Sequence, residues 1–405
     1  MKNQKNQLII FLACLLLFVP TCKYWSKFLA KTILDADIEA FSDLKYNHLS
    51  DTESEVIGYE WRCKANDCAI LPKVISGFKI RTVTRIGEKA FKFVTHLERI
   101  DIPASVTHIQ GSAFSRCYGY KLNKIHVAKD NPMYISDNDL VLYSKDMSEI
   151  IAVASNINAH FDIPESVTKI SACAFNNQHE LKSITIPSDV NYIGEFAFSG
   201  CTGLTEITIP SNVTTIGKWA FYCCALEKIY FSSDLKKTEG LTKIEGYAFY
   251  DCQHLTDIKL PSTVKEIGSK AFCECKNLTS INIPDSVTTI GGLAFAGCLK
   301  LKNIKMSNKI SIIEYGTFIS CEELEYIELP NGITTIKPSA FENCKKLTEI
   351  TIPSSIEYIN NKAFSGCRNL SVIINKPKSE VRIAEMAFAN PENVHFVNIN
   401  DNDRQ

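Results

Sequence analysis

Apolar residues along this chain follow two superimposed spacings, a local alternation of every second residue and a long period of 23. One clean unit reads Leu278-x-x-Ile281-x-Ile283-Pro284-x-x-Val287-x-x-Ile290-Gly291-x-x-Ala294-Phe295-x-x-Cys298. Residues two apart in an extended chain face the same side, so Ile281 and Ile283 predict a short strand with one buried face. Proline has no N–H for a ladder, and Pro284 ends that strand. Val287 and Ile290 predict a second short strand. Gly291 permits the turn that follows, and Ala294-Phe295 sends one small and one large apolar group inward.

The Ala-Phe pair returns at Phe91, Phe114, Phe175, Phe198, Phe221, Phe249, Phe272, Phe295, Phe341, Phe364 and Phe388, and Thr317 replaces the alanine before Phe318. Eight of the eleven intervals are 23 residues; the others, 61, 28 and 24, equal 23 plus insertions of 38, 5 and 1. A period held this often outranks any local motif. Each unit has one apolar face and cannot bury it alone, so the units must stack. The expected fold is mostly β, a solenoid of about 12 coils with two short strands per 23-residue repeat and an N-terminal cap.

The irregular stretches complete the domain plan. Lys2 and Lys5 precede an apolar run of 12 residues, Leu8 to Val19, whereas a bilayer-spanning helix needs about 20. Residues 1–22 therefore read as a signal peptide or a short membrane anchor. Val19-Pro20-Thr21-Cys22 also has the outline of a degraded lipoprotein signal, in which Cys22 carries the lipid. Residues 23–69 read as the cap: Ile33, Leu34, Ile38, Phe41 and Leu44 have helical spacing, and Val56 to Trp61 alternates like a strand. The solenoid covers 70–397, with Val394 to Val397 as its last strand. Its insertion at about 128–160 has apolar runs at Met133–Ile135, Leu140–Tyr143 and Ile150–Val153 and predicts a small β-meander projecting from the coil. Residues 398–405 form a polar tail.

Charge narrows the function. Basic and acidic residues number 44 and 45, a net charge of −1, which lacks the electrostatic footprint of a nucleic-acid binder. Membrane contact is expected only through the N-terminus. Of the 16 cysteines, nine share one repeat position three residues after phenylalanine: Cys117, Cys201, Cys224, Cys252, Cys275, Cys298, Cys321, Cys344 and Cys367. Neighbouring strands put such side chains about 4.8 Å apart, outside the roughly 3.5–4.5 Å between Cβ atoms that a disulfide prefers. They read as a ladder of free structural thiols, since buried cysteine behaves as a small hydrophobe. Cys63 and Cys68 stand off the ladder, flank a polar turn and could pair to staple the cap. Asp137-Asn138-Asp139 lacks the glycine and distal glutamate of a calcium loop and reads as a hairpin turn. The chain holds no nucleotide-binding loop or zinc-protease motif, so no cofactor, metal or catalytic residue is expected.

In a solenoid the outward positions are free to specialise. Lys228, Tyr230, Lys259, Lys305, Tyr326 and Glu328 on first strands, with Tyr192 and Tyr358 on second strands, are the candidate partner-binding surface. Neither strand face repeats a cation or an aromatic ring as a regular polymer would demand, which favours a protein ligand bound through a few hot spots. Threonine pairs such as Thr214/Thr215 and Thr288/Thr289 suit any exposed strand.

The Ile-Pro, Ile-Gly, Ala-Phe and Cys signatures together are similar to those of BspA-type leucine-rich-repeat surface proteins, over about residues 70–397. The insertion's Asn131-Pro132-x-Tyr134 and Leu142-Tyr143 pattern also fits such proteins. The usual leucine-rich consensus has Asn or Cys after the strand, whereas Asp189, Asn212, Thr263, Ser286 and Gly332 hold that offset here. Neither a helix-backed horseshoe nor an asparagine ladder is therefore expected. The resemblance implies a non-enzymatic secreted or cell-surface protein for adhesion to host or matrix proteins or to other cells. The alternative is an envelope scaffold or inhibitory subunit that binds one secreted partner.

Overall fold

The computed structural model describes residues 44–59, 67–70, 73–76, 79–91, 97–114, 122–232 and 240–397. The chain divides into two compact units between Ile135 and Ser136. Among the described residues the regular structure is β-strand, apart from the short 3₁₀ turns Lys378–Glu380 and Pro391–Asn393.

The larger unit is a β-solenoid whose coils have three sides. The first side holds strands such as Ser280–Asn282 and Asn303–Lys305, exposed at both ends and buried at the central isoleucine. The second holds two-residue strands such as Thr289–Ile290, the isoleucine inward. Each residue pairs in parallel with its equivalent one repeat later, Ser280 with Asn303 and Ile281 with Ile304. Like therefore lies beside like, and the core becomes a set of columns. The central column is a stack of ten phenylalanines, Phe175 to Phe388, with ring centroids 5.1–5.6 Å apart and planes within 16° of parallel.

The third side, an arc around Ala-Phe, has its own hydrogen-bond system. Amides alternate between reaching the next coil and closing a turn within their own. Lys270, Phe272 and Glu274 donate to the carbonyls of Gly292, Ala294 and Ala296 at 3.0, 2.8 and 2.7 Å. Between them, Ala271, Cys273 and Cys275 donate back to Gly268, Lys270 and Phe272 at 3.2, 3.2 and 3.3 Å. This alternation places left-handed backbone on both sides of Ala-Phe, φ +57° at Lys270 and +63° at Glu274. Side-chain-bearing residues pay about 1–2 kcal/mol for that conformation, and the satisfied amides offset it.

The ladder cysteine follows from the same system. Cys298 Sγ donates to the Phe272 carbonyl of the preceding coil at 3.2 Å, and Cys201, Cys224, Cys252, Cys275, Cys321, Cys344 and Cys367 do the same at 2.9–3.2 Å. All eight are buried and free of disulfides. Cysteine at this position is thus more than a small hydrophobe, because its S–H gives a buried carbonyl a second donor.

The insertion is a meander, but it does not project. Val141–Ser144 and Glu149–Val153 pair antiparallel, and Glu149–Val153 then pairs in parallel with Lys169–Ile170. The hairpin extends the second-strand sheet because Val141, Tyr143, Ile150 and Val153 belong to the core. Burial pushes the Tyr143 hydroxyl up to about 12, with the Asp137 charge adding to it. Residues 137–140 form the tight turn, with Asn138 and Asp139 left-handed and Leu140 N–H donating to Asp137 O at 2.8 Å.

In the smaller unit Leu44–His48 pairs antiparallel with Glu53–Tyr59, which runs parallel to Lys79–Ile86. Leu44, expected on a helix, instead begins a strand: its side chain is buried while Lys45 points out. Ile33, Leu34, Ile38, Phe41 and the N-terminal signal with Cys22 lie outside the described residues, as do Cys63, Cys117, the Cys68 side chain and the polar tail.

Two outcomes follow. Lys362 is exposed and left-handed at φ +57°, in the column where Gly316 also stands. Lys362→Gly should therefore raise unfolding stability by up to about 1 kcal/mol in a urea titration, whereas Lys362→Val should lower it. The second concerns pH. Burial holds the thiols of Cys224, Cys252, Cys275, Cys298, Cys321 and Cys344 above the ordinary range. A raised folded-state value stabilises fully below the unfolded thiol value near 8.5 and loses that contribution as pH rises past it, by up to about 1.4 kcal/mol per thiol per pH unit. Melting temperature followed by circular dichroism should fall steeply above about pH 9, and Cys298→Ala should make that fall shallower.

Candidate interaction surface

Strands Asp257–Lys259, Ser280–Asn282, Asn303–Lys305 and Tyr326–Glu328 form one four-stranded parallel sheet. Its outward columns are Asp257, Ser280, Asn303, Tyr326 and Lys259, Asn282, Lys305, Glu328. Lys259, Lys305, Tyr326 and Glu328 thus share one face and are all exposed, Tyr326 with 59% of its surface in solvent. Lys228 and Tyr230 point outward from Lys228–Phe231, which pairs with Glu206–Ile209 in a separate ladder. Tyr192 lies between Lys169 and Thr215 and Tyr358 between Thr335 and Arg382, both on the second-strand side and in different sheets. The fold therefore divides the eight candidates, with four on one first-strand sheet.

That sheet ends at Tyr326–Glu328, and the next first strand, Glu349–Ile352, belongs to another sheet. A cavity of about 220 Å³ opens at the interruption. Tyr326, Glu328, Glu349, Thr351 and Asn375 wall it, while the Ile327 and Ile350 side chains turn inward to the core. Such a cleft, with polar walls beside the Tyr326 ring, suits a polar side chain.

Other outward groups are occupied by the stack itself. Thr242, Thr288 and Thr334 hydroxyls donate to the carbonyls of Thr214, Lys265 and Ser311 in the preceding coil, at 3.1, 3.3 and 3.2 Å. The threonine-rich face is thereby explained by the ladder. Glu314–Lys337, Glu322–Lys345 and Glu323–Lys346 ion pairs, 2.9, 2.6 and 2.5 Å, also join neighbouring coils; such exposed pairs stabilise little. His160 Nδ1 meets Ser183 Oγ at 2.5 Å and His179 Nδ1 meets Thr202 Oγ1 at 3.0 Å, both exposed pairs one repeat apart. Among the described residues no group of three or more His, Cys, Asp or Glu is placed to hold a metal ion.

One cluster was missed by reading strand faces. On the arc, Phe196, Trp219 and Tyr247 occupy the position before Ala-Phe in three successive coils, and Tyr222 and Tyr250 the position after it. Trp219 stacks on Phe196 at 5.8 Å and on Tyr247 at 3.7 Å, while Tyr222 stacks on Tyr250 at 5.6 Å. Aligning the units column by column at these two offsets would have found it.

The three-sided coil with a column of stacked phenylalanines defines a leucine-rich-repeat solenoid. Residues 72–151, 153–242 and 242–371 match the BspA type leucine rich repeat region in six copies, and the chain belongs to that family. Among solved structures, a leucine-rich repeat protein from Bacteroides ovatus is 24% identical, with a TM-score of 0.54 over 88% of this chain and 99% of that one. The pneumococcal vaccine antigen PcpA is 22% identical, with a TM-score of 0.55 over 89% and 93%. These likenesses speak to the fold. No curated protein matches the chain.

Proposed function

We propose that this protein is an exported recognition protein of the cell surface or the surrounding medium, that it binds a protein ligand, and that it catalyses nothing. Adhesion to host matrix proteins or to other cells is the specific form of this reading. The observation that carries it is the first-strand sheet on which Lys259, Lys305, Tyr326 and Glu328 stand together beside a cleft. An exposed tyrosine among mixed charges has the composition of a protein-binding hot spot. Membership of a family of BspA type repeats supports the surface location.

Location is tested by labelling intact cells with a membrane-impermeant reagent and sequencing the mature amino terminus by mass spectrometry. A labelled protein whose terminus lies at or just beyond Cys22 is the expected result; an intact Met1 in the cytoplasm would overturn the reading. Binding is tested by screening immobilised matrix proteins and whole cells. Tyr326→Ala combined with Glu328→Lys should weaken a ligand so found by at least about tenfold, the range of one lost hot spot, with the melting temperature unchanged. Capture of a single stoichiometric partner from the same cell's own secreted proteins would favour the envelope-scaffold role instead.

A further inference from the structure

We infer that the arc side of the larger unit carries a second binding site, separate from the first-strand sheet: a platform of aromatic ring edges and two lysines that takes an acidic polypeptide segment.

The platform is surplus to folding. Each arc directs an alanine or threonine, a phenylalanine and a cysteine inward, and those groups are buried in coil after coil. The position before Ala-Phe is half-buried in these three coils and elsewhere holds residues as different as Lys270, Leu293, Ser339 and Lys362; the position after Ala-Phe elsewhere holds Cys273, Ala296, Glu342 or Ser365. Among the described residues, only in three adjacent coils do these two columns fill with Phe196, Trp219, Tyr222, Tyr247 and Tyr250. Phe196, Trp219 and Tyr247 are also left-handed, at φ +55°, +60° and +61°, in a column where Gly316 at +57° shows that glycine fits. Left-handed backbone is common to this column, at Lys270, Leu293, Ser339 and Lys362 as well, so what sets these three coils apart is the rings themselves.

Ring geometry selects the ligand. The Phe196 and Trp219 planes lie 4° apart and those of Trp219 and Tyr247 18° apart, so these rings cover one another's faces. Tyr222 stands edge-on to Trp219 at 78°. A nucleobase that binds by stacking needs a free ring face, and here the inner faces are taken. What remains is ring edge, the positive rim of the aromatic quadrupole, while the Tyr222 hydroxyl is held by the Cys223 thiol.

Charge points the same way. Lys270 Nζ lies 5.1 Å from the Tyr247 ring centroid and Lys218 Nζ 6.0 Å from it. Neither lysine forms an ion pair with a carboxylate among the described residues. Carboxylates also border the platform: Glu274 pairs with Lys276 at 3.5 Å and Glu245 with Lys243 at 3.7 Å, and Asp251 accepts from the Cys223 thiol and the Gln253 amide. Burial, with the Glu274 and Asp251 charges adding to it, pushes the Tyr250 hydroxyl up. Glu195, beside Phe196, stands at the margin. Two cations that sit over the Tyr247 ring and have no carboxylate partner among the described residues complement carboxylates interspersed with apolar side chains. Tryptophan and tyrosine are the residues that most often anchor such protein contacts.

The test is isothermal titration of the full chain with a random Glu/Tyr copolymer, a random Lys/Tyr copolymer and heparin. The expected result is saturable binding of the Glu/Tyr copolymer alone. Trp219→Ala should weaken it at least tenfold, and so should Lys218→Glu combined with Lys270→Glu, whereas Tyr326→Ala should leave it unchanged. Should Trp219→Ala fail to fold, the double lysine variant decides the matter, because Lys218 is exposed and Lys270 half-exposed. Undiminished binding in that variant would overturn the inference. So would equal binding of the Lys/Tyr copolymer, or binding of heparin without the Glu/Tyr copolymer, which would mark a site for sulfated polysaccharide. Loss through Tyr326→Ala alone would return the activity to the first-strand sheet.

Discussion

The hydrogen bond from a phenylalanine amide to the carbonyl of the alanine (Thr317 in one coil) before the next phenylalanine, 2.8 Å between Phe272 and Ala294, is the contact on which the rest of the structure depends. It forms only if successive arcs have the same shape, and it fixes the coils in register. Registered arcs put ring over ring at the spacing of stacked aromatics, so the phenylalanine column follows from the backbone. The alternating amides require left-handed residues before and after Ala-Phe, which explains why polar side chains such as Lys270 and Glu274 tolerate a conformation that usually belongs to glycine. The phenylalanine carbonyl then receives the cysteine thiol one coil later. Repeat period, ring stack, strained columns and thiol ladder are consequences of one bonding pattern.

The inward positions were legible because this pattern prints them at every turn. Ile281, Ile290, Ala294, Phe295 and Cys298 recur at fixed offsets, and their burial is what a stack of coils demands. What escaped has a physical reason in each case. Leu44 lies where the repeat has not begun, and its helical spacing to Phe41 lost to strand pairing with Glu53–Tyr59. The insertion's apolar runs announced strands but not where they dock, which depends on the sheet edge they meet. The aromatic cluster escaped because alternation by two applies to the strands and not to the arc, where turns set the direction of each side chain. Its five rings are spread over more than fifty residues and meet only when coils are overlaid.

A core this uniform separates stability from recognition. Inward columns are held by packing, so a change at Phe295 disturbs its neighbours above and below. Outward columns meet solvent, and their identity varies from coil to coil without breaking the stack. Two kinds of surface have arisen on that freedom. One is a flat strand face with mixed charge around Tyr326 and a cleft where its ladder lapses. The other is a compact aromatic platform around Trp219. They differ in electrostatic character, and neither requires the other to form.

A stack held by forward hydrogen bonds also needs a way to stop, and the sequence writes one into the last coil. Three residues after Phe388, where eight earlier described coils carry cysteine, stands Pro391. Proline has neither the thiol that would reach the preceding phenylalanine carbonyl nor the amide that would close the turn. Asn390 before it has left the left-handed region, with φ −127°, and its side-chain amide donates to Arg368 O at 2.6 Å instead. The chain turns into the 3₁₀ segment Pro391–Asn393 and ends its ladder with Val394–Phe396 against Ser371–Ile374. Lys378 lies 6.0 Å from the Phe396 ring and sets a charge at that edge. An exposed parallel edge invites further pairing, and charge and proline discourage it. At the other end of the same unit the antiparallel hairpin of Val141–Ser144 and Glu149–Val153 completes the second-strand sheet with residues that break the repeat. The first arc of the unit still makes its forward bond, Phe175 to Ala197 at 2.8 Å, so only at the carboxyl-terminal end does that bond lose its partner, and the irregular stretch from Asn390 is where it is replaced.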